Sequence, residues 1–343
     1  MTSSERNIHL GLLGASLALA VWVFGPELRS AEPRNHGSAR SPATAERSPL
    51  SIIPAGSAFL LTVDVRALSR APLGALIAGR LGRTAGAESL AQSCGFDPLS
   101  RLDQLALAIP SATLGTDAHP DFGVVANGRF SGLEISRCAS SAIAARGGEA
   151  VQTQLGSFRS VRDRKESGGE IAAKDGLIVV SGGSYFRELL DSAEGQPAPT
   201  QDEARSRKHV ELRRALGSAP LRVSWLLGEG WFERVAGGEI NPRLSPLSAL
   251  QSVAARLNVG QTAELLVLLE CADSEGASRI SNLLRELQSS LDALPLEPAL
   301  STLAKRITVR RTDARLQLEL SLSPGELTPV LDALSEKTAG APP

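Results

Sequence analysis

The sequence predicts an α+β fold made of two similar units, each a mainly antiparallel sheet with helices packed on one face. The units follow an N-terminal transmembrane helix and a disordered spacer. Three observations carry that reading. The chain opens on an apolar run; short alternating segments recur between turn residues; and the order of strands and helices in residues 51–195 recurs in residues 205–338.

The opening run, Ile8 to Phe24, reads IHLGLLGASLALAVWVF and passes through Leu17 without a formal charge when His9 is neutral. At about 17 residues it reaches the lower limit for crossing a bilayer as a helix. Trp22 sits near its outer end, where an indole suits the interface. A cleaved signal peptide with Ala18-Leu19-Ala20 as its processing site competes with an uncleaved anchor. The run continues past Ala20, which favours the anchor. Residues 1–25 are therefore expected to be the membrane segment. Residues 26–50, rich in Pro, Ser, Ala and mixed charge, are the expected flexible spacer.

In unit one, Ala58 to Arg66 alternates as a strand, and helical segments follow to Cys94. Gln104 to Ile109 and Gly123 to Arg129 read as strands. Ser131 to Arg146 is a helix stopped by Gly147-Gly148. Strands at Ser157–Arg162, Glu170–Lys174 and Leu177–Ser181 lead into a closing helix from Tyr185 to Ala193. The polar stretch Glu194 to Ser206 is a candidate boundary.

Unit two opens with the strand Leu221–Leu227 and helical turns near Trp231. Strands at Val253–Val259 and Ala263–Glu270 follow. A long helix from Glu275 to Leu291 gathers Ile280, Leu283, Leu284 and Leu287 on one face. A shorter helix, Ala299–Lys305, precedes strands Ile307–Arg311 and Arg315–Leu322, and a helix begins at Pro324. Short turns between neighbouring strands imply antiparallel pairing.

The arrangement resembles uncharacterised bacterial exported proteins built as an N-terminal membrane segment, a low-complexity spacer and duplicated α+β units. The residues that carry the resemblance are Ile53-Pro54-Ala55-Gly56-Ser57 leading into Phe59–Val65, Cys94-Gly95-Phe96-Asp97-Pro98, and Val179-Val180-Ser181 before Tyr185. It covers most of residues 51–335 and implies no activity.

Composition narrows the function. With 36 basic against 37 acidic side chains, the formal charge is −1, so a nucleic-acid partner is not expected. An aromatic content of 3% removes the stacking platforms that single strands need.

Few residues suggest chemistry. Cys94 and Cys138 fall on two helices of unit one that can share a sheet face, and a disulfide between them is expected if the region meets an oxidising compartment; free buried thiols are the alternative. Asp117, His119 and Asp121 supply ligand types for a divalent metal, but their Gly/Pro-containing loop equally suits a plain turn. Asp64, Asp97 and Asp163 lie near element ends, without a partner that would make them an acid–base pair. Ser181-Gly182-Gly183-Ser184 lacks the lysine of a phosphate loop and reads as a connecting turn. Arg205, Arg207, Lys208, His209, Arg213 and Arg214 crowd one helix, as a solvated face or as a contact for anionic lipid or an acidic partner.

The expectation is a non-enzymatic, membrane-anchored extracytoplasmic binding or scaffolding protein that needs no cofactor. Its place would be the inner membrane, single-pass, with the C-terminal region in the periplasm. Its partners would be the membrane, through the N-terminal helix, and an envelope protein or lipid. A carrier of a lipid or small apolar ligand, or a metal-dependent hydrolase, are the alternatives.

Overall fold

The computed structural model describes residues 48–77, 87–110, 121–165, 169–196, 203–236, 242–290 and 298–329. Twelve strands form one antiparallel sheet: β1 (Ser57–Asp64), β2 (Leu102–Pro110), β3 (Gly123–Gly128), β4 (Ala150–Leu155), β5 (Phe158–Asp163), β6 (Glu170–Lys174), β7 (Leu177–Ser181), β8 (Leu221–Leu226), β9 (Leu250–Val259), β10 (Ala263–Cys271), β11 (Thr308–Thr312) and β12 (Arg315–Leu322). Their spatial order is β11-β12-β10-β9-β8-β1-β2-β3-β7-β6-β5-β4.

The helices are α1 (Pro49–Ile52), α2 (Val65–Arg70), α3 (Ala87–Cys94), α4 (Gly132–Ala145), α5 (Tyr185–Glu194), α6 (Glu203–Leu216), α7 (Trp231–Ala236), α8 (Ser274–Ser290) and α9 (Pro298–Arg306). Residues 72–77 and 324–329 are also helical. The α+β class and the antiparallel pairing of the strands are as expected.

Two features differ from the sequence reading. The two expected sheets are one, because β1 pairs with β8 from Phe59↔Trp225 to Val63↔Leu221. The helices lie on both faces rather than one. On the first face, Ile52 of α1 and Tyr185, Phe186 and Leu189 of α5 pack on Leu60, Ala108, Val125 and Val179. On the same face Leu212 and Leu216 of α6 cover Ala254 and Leu268. On the second face, Ala139 and Ile143 of α4 pack on Val161, and Ala277 and Ile280 of α8 on Leu316 and Cys271. A strand between two helical layers must be apolar on both sides, as Phe59-Leu60-Leu61 is.

Strand order within the two halves corresponds. From the centre outward, β1-β2-β3-β7-β6 matches β8-β9-β10-β12-β11, and α4 after β3 matches α8 after β10. The β4–β5 hairpin has no counterpart in the second half among the described residues. Its two-residue turn, Gly156-Ser157, places a glycine at positive φ (55°), as such hairpins favour.

The membrane placement needs correction. The chain was expected in the inner membrane as a single-pass protein with its C-terminal region in the periplasm. Among the described residues, no helix is long and apolar enough to cross a membrane. The longest, α8, is amphipathic and carries Glu275, Arg279, Arg285 and Glu286 along its length. The run with Ile8, Leu17 and Phe24 lies outside the described residues, as does most of the expected spacer.

Local capping explains where elements start. Asp64 ends β1 and caps α2, its Oδ1 accepting from Ala67 N at 2.7 Å. Ser131 and Glu134 form a reciprocal capping box at the start of α4. Immediately after, Gly132 passes close to β6: a Cβ there would sit 2.8 Å from Lys174 Cα and 2.9 Å from Ala173 O. Both contacts are backbone and cannot swing away. Gly132→Ala is therefore expected to destabilise the fold by about 1–3 kcal/mol, read as a lower urea midpoint. An unchanged midpoint would refute the close approach of α4 to β6.

Candidate functional site

The first face of the sheet is covered unevenly. α1, α5 and α6 cover its middle and one side, whereas the β9–β12 side carries polar side chains at the same parity. Arg256, Leu266 and Glu319 are successive cross-strand neighbours there, and Asn258, Glu264 and Ser321 form the next row. A groove of about 390 Å³ opens on this side, lined by Arg256, Glu264, Leu266, Arg306, Thr308, Glu319 and Ser321.

Where the groove meets α6, three arginines gather. Arg222 on β8 lies directly opposite Thr62 on β1 and Arg256 on β9. Arg213 reaches down from α6 and donates to Thr62 Oγ1 at 3.0 Å. Arg256 donates to Leu216 O at the end of α6, where the helix dipole favours a cation. Among the described residues, no carboxylate lies within ion-pairing distance of any of the three, and the Nε of Arg222 is buried with no hydrogen-bond partner. Burial, and next to it the charge of Arg222, lowers the Arg213 guanidinium from its usual value to about 10. Like charges opposite one another on adjacent strands oppose pairing, so the cluster costs the fold stability.

Beside it, the arrangement is matched. Glu270 receives Lys208 at 2.8 Å, Arg315 at 2.6 Å and the Ser252 hydroxyl at 2.8 Å. Burial alone would raise its carboxyl, but these three donors outweigh that and hold it below the usual carboxylate range. The same contact with Glu270 raises the Lys208 ammonium.

A buried polar network joins the halves one turn of α6 away. His209 Nε2 lies 2.9 Å from Ser57 O and Nδ1 lies 2.7 Å from Ser224 Oγ. A carbonyl can only accept, so Nε2 carries the proton and Nδ1 accepts from Ser224. Ser57 Oγ also contacts the Tyr185 hydroxyl at 3.2 Å, and burial pushes that phenol up to about 12. His209 is 3% exposed. Its imidazole is held below its usual value chiefly by burial, partly offset by the bond to Ser57 and reinforced by Arg213 and Arg205.

The residues singled out in the sequence fare differently. Cys94 and Cys138 come together: their sulfurs lie at disulfide-bonding distance with Cα atoms 4.2 Å apart, linking α3 to α4 across 44 positions. Cys271 is buried and free. Asp117 and His119 lie outside the described residues. Asp121 is described: its Oδ2 accepts from Ser184 Oγ at 3.2 Å, tying β3 to the turn before α5. Among the described residues no three His, Cys, Asp or Glu side chains converge as metal ligands would.

Asp97 accepts from Leu99 N, and Asp163 from Glu149 N and Lys165 N. These backbone bonds, that from Glu149 first, hold Asp163 below the usual carboxylate range. The basic run of α6 divides: Arg207 pairs with Glu203 and Lys208 with Glu211 and Glu270, while His209 and Arg213 turn inward.

Sequence reasoning missed Arg222 and Arg256. Each is one arginine in a different strand, and only the β8–β9 register places them side by side. The one available signal was parity: Arg222 shares a face with Ser224, and Arg256 with Ala254, both buried.

No family model and no curated protein matches this chain. Two solved structures of TP0453 are similar to it. Crystal form III gives a TM-score of 0.50 at 11% identity, covering 84% of this chain and 100% of that one. Crystal form I gives 0.47 at 12% identity, covering 85% and 99%. The former likeness shows a shared α+β fold.

Two expectations follow from the site. His209 in the folded state has a lowered pKa, so the unfolded chain binds more protons below about pH 6.5. Its contribution is present above that value and lost as pH falls below it. Wild-type urea midpoints should drop on acidification more than those of His209→Gln, and equal drops would exclude His209 as a source. Reduction of Cys94–Cys138 should cost about 2–4 kcal/mol, with the two half-cystines recovered in one non-reduced peptide pair; separate free thiols would contradict the link.

Proposed function

We propose that this chain is a non-enzymatic binding module that seats an anionic group of a protein partner, a carboxylate or phosphate, on Arg213, Arg222 and Arg256. The observation that carries the reading is the trio itself: three half-buried arginines without a carboxylate among the described residues. A half-buried cation without a counter-charge costs stability, and binding sites are where such a cost persists. Arginine forks match the planar geometry of carboxylate and phosphate oxygens. The adjoining groove, with Arg306 and Glu319 on its walls, gives the partner segment room beyond the anion.

The wider architecture is read as a duplicated unit. Matching strand order outward from β1 and β8, and matching helices α4 and α8, support that reading. The arginine trio then sits at the join, with Arg213 supplied by the helix that leads into the second unit.

Thermal unfolding with an oligo-glutamate peptide tests the proposal, with oligo-glutamine as control. The acidic peptide should raise Tm in a concentration-dependent way, and added salt should weaken the effect. Arg222→Met should abolish the response while making the free protein more stable by about 1–3 kcal/mol. Equal responses to both peptides, or a response surviving Arg222→Met, would falsify the assignment.

A further inference from the structure

The two edges of the sheet are built differently. At one edge β11 carries Arg310 and Arg311 in a five-residue strand; Arg310 pairs with Glu319, and Arg311 reaches Ser274 O. Charges of this kind are how proteins keep an edge from recruiting another strand. At the other edge β4 reads Ala-Val-Gln-Thr-Gln-Leu, with no charge, no proline and no bulge in its pairing with β5.

The hairpin register settles which backbone groups of β4 face outward. Leu155 and Phe158 close the two-residue turn as a hydrogen-bonded pair, so Leu155, Thr153 and Val151 direct their N–H and C=O groups to β5. Glu149 O, on the same odd-numbered series, accepts from Arg164 N at 2.8 Å. Ala150, Gln152 and Gln154 therefore point their backbone donors and acceptors away from β5, and among the described residues β4 pairs with no other strand. Gln152, Thr153 and Gln154 are exposed.

We infer that β4 is a dimerisation edge, pairing antiparallel with β4 of a second copy of this chain across a two-fold axis at Gln152. That register is self-complementary. Gln152 meets Gln152 of the other copy, Val151 meets Thr153, Ala150 meets Gln154, and Glu149 meets Leu155, so no charge faces a charge. Val151 and Thr153 are both β-branched, the side-chain type that strands favour. The two-fold contact is closed, joins the two sheets into one, and among the described strands makes the arginine-bearing β11 the outer edge at both ends. A foreign strand would fit the same backbone, and a monomeric wild type would point to one.

Sedimentation equilibrium of the purified full-length chain over a concentration series is the test, with circular dichroism to check folding. Wild type should show a concentration-dependent dimer. Gln152→Lys, which sets two like charges opposite each other at the axis, should be monomeric. Gln152→Pro removes an outward N–H that β5 does not use and should be monomeric as well; if it fails to fold, the lysine variant carries the test. Thr308→Lys on the other edge should dimerise like wild type. A monomeric wild type, or a dimer that survives Gln152→Lys, overturns the inference.

Discussion

Antiparallel pairing of β1 with β8 is the constraint on which the rest of the structure depends. Each strand is the innermost of its half, and the register from Phe59↔Trp225 to Val63↔Leu221 makes one sheet of two. Because a shift of one residue would exchange the two faces, that register also decides which side chains meet α6. It brings Ser224 and the Ser57 carbonyl to His209, and Arg222 between Thr62 and Arg256. The buried polar link and the unmatched cations are two products of one alignment. One is satisfied in every hydrogen bond; the other is left electrostatically open.

Much of the fold was legible because its elements carry local signals. The long helix α8 shows its apolar stripe at Ile280, Leu283 and Leu284, and α4 has its Ser131–Glu134 box and glycine stop. Where reading failed, the cause was not local. β4 is an edge strand whose Gln-Thr-Gln centre is exposed on both sides, so it has no alternation to detect. β1 ends two residues earlier than its alternation suggests, because Asp64 caps α2 instead of continuing the strand. Nothing in either strand announces that Leu61 will lie opposite Val223, and without that pairing two sheets were the natural expectation.

The site was less legible than the fold for the same reason. A run of basic residues along α6 drew attention by its density, yet Arg207 and Lys208 in it are matched by Glu203, Glu211 and Glu270, and Arg213 turns inward. The arginines that lack a carboxylate among the described residues, Arg213, Arg222 and Arg256, are dispersed over one helix and two strands. Cys94 and Cys138 were easier, since both sit on helices of the same half and only proximity was required. Short-range geometry is written into a segment; which charges end up unmatched is decided by register.

The segment after α2 has a further consequence. Leu73, in helical residues 72–77, belongs by sequence to the first half but is buried with Val259, Ala263, Leu322 and Leu327 of the second. In return, Leu221, Val223 and Trp225 of the second half pack against the Phe59, Leu61 and Val63 cluster of the first, so each half contributes to the other's interior. If the chain were severed between α5 and α6, the fragments would regain native structure only as a reconstituted pair.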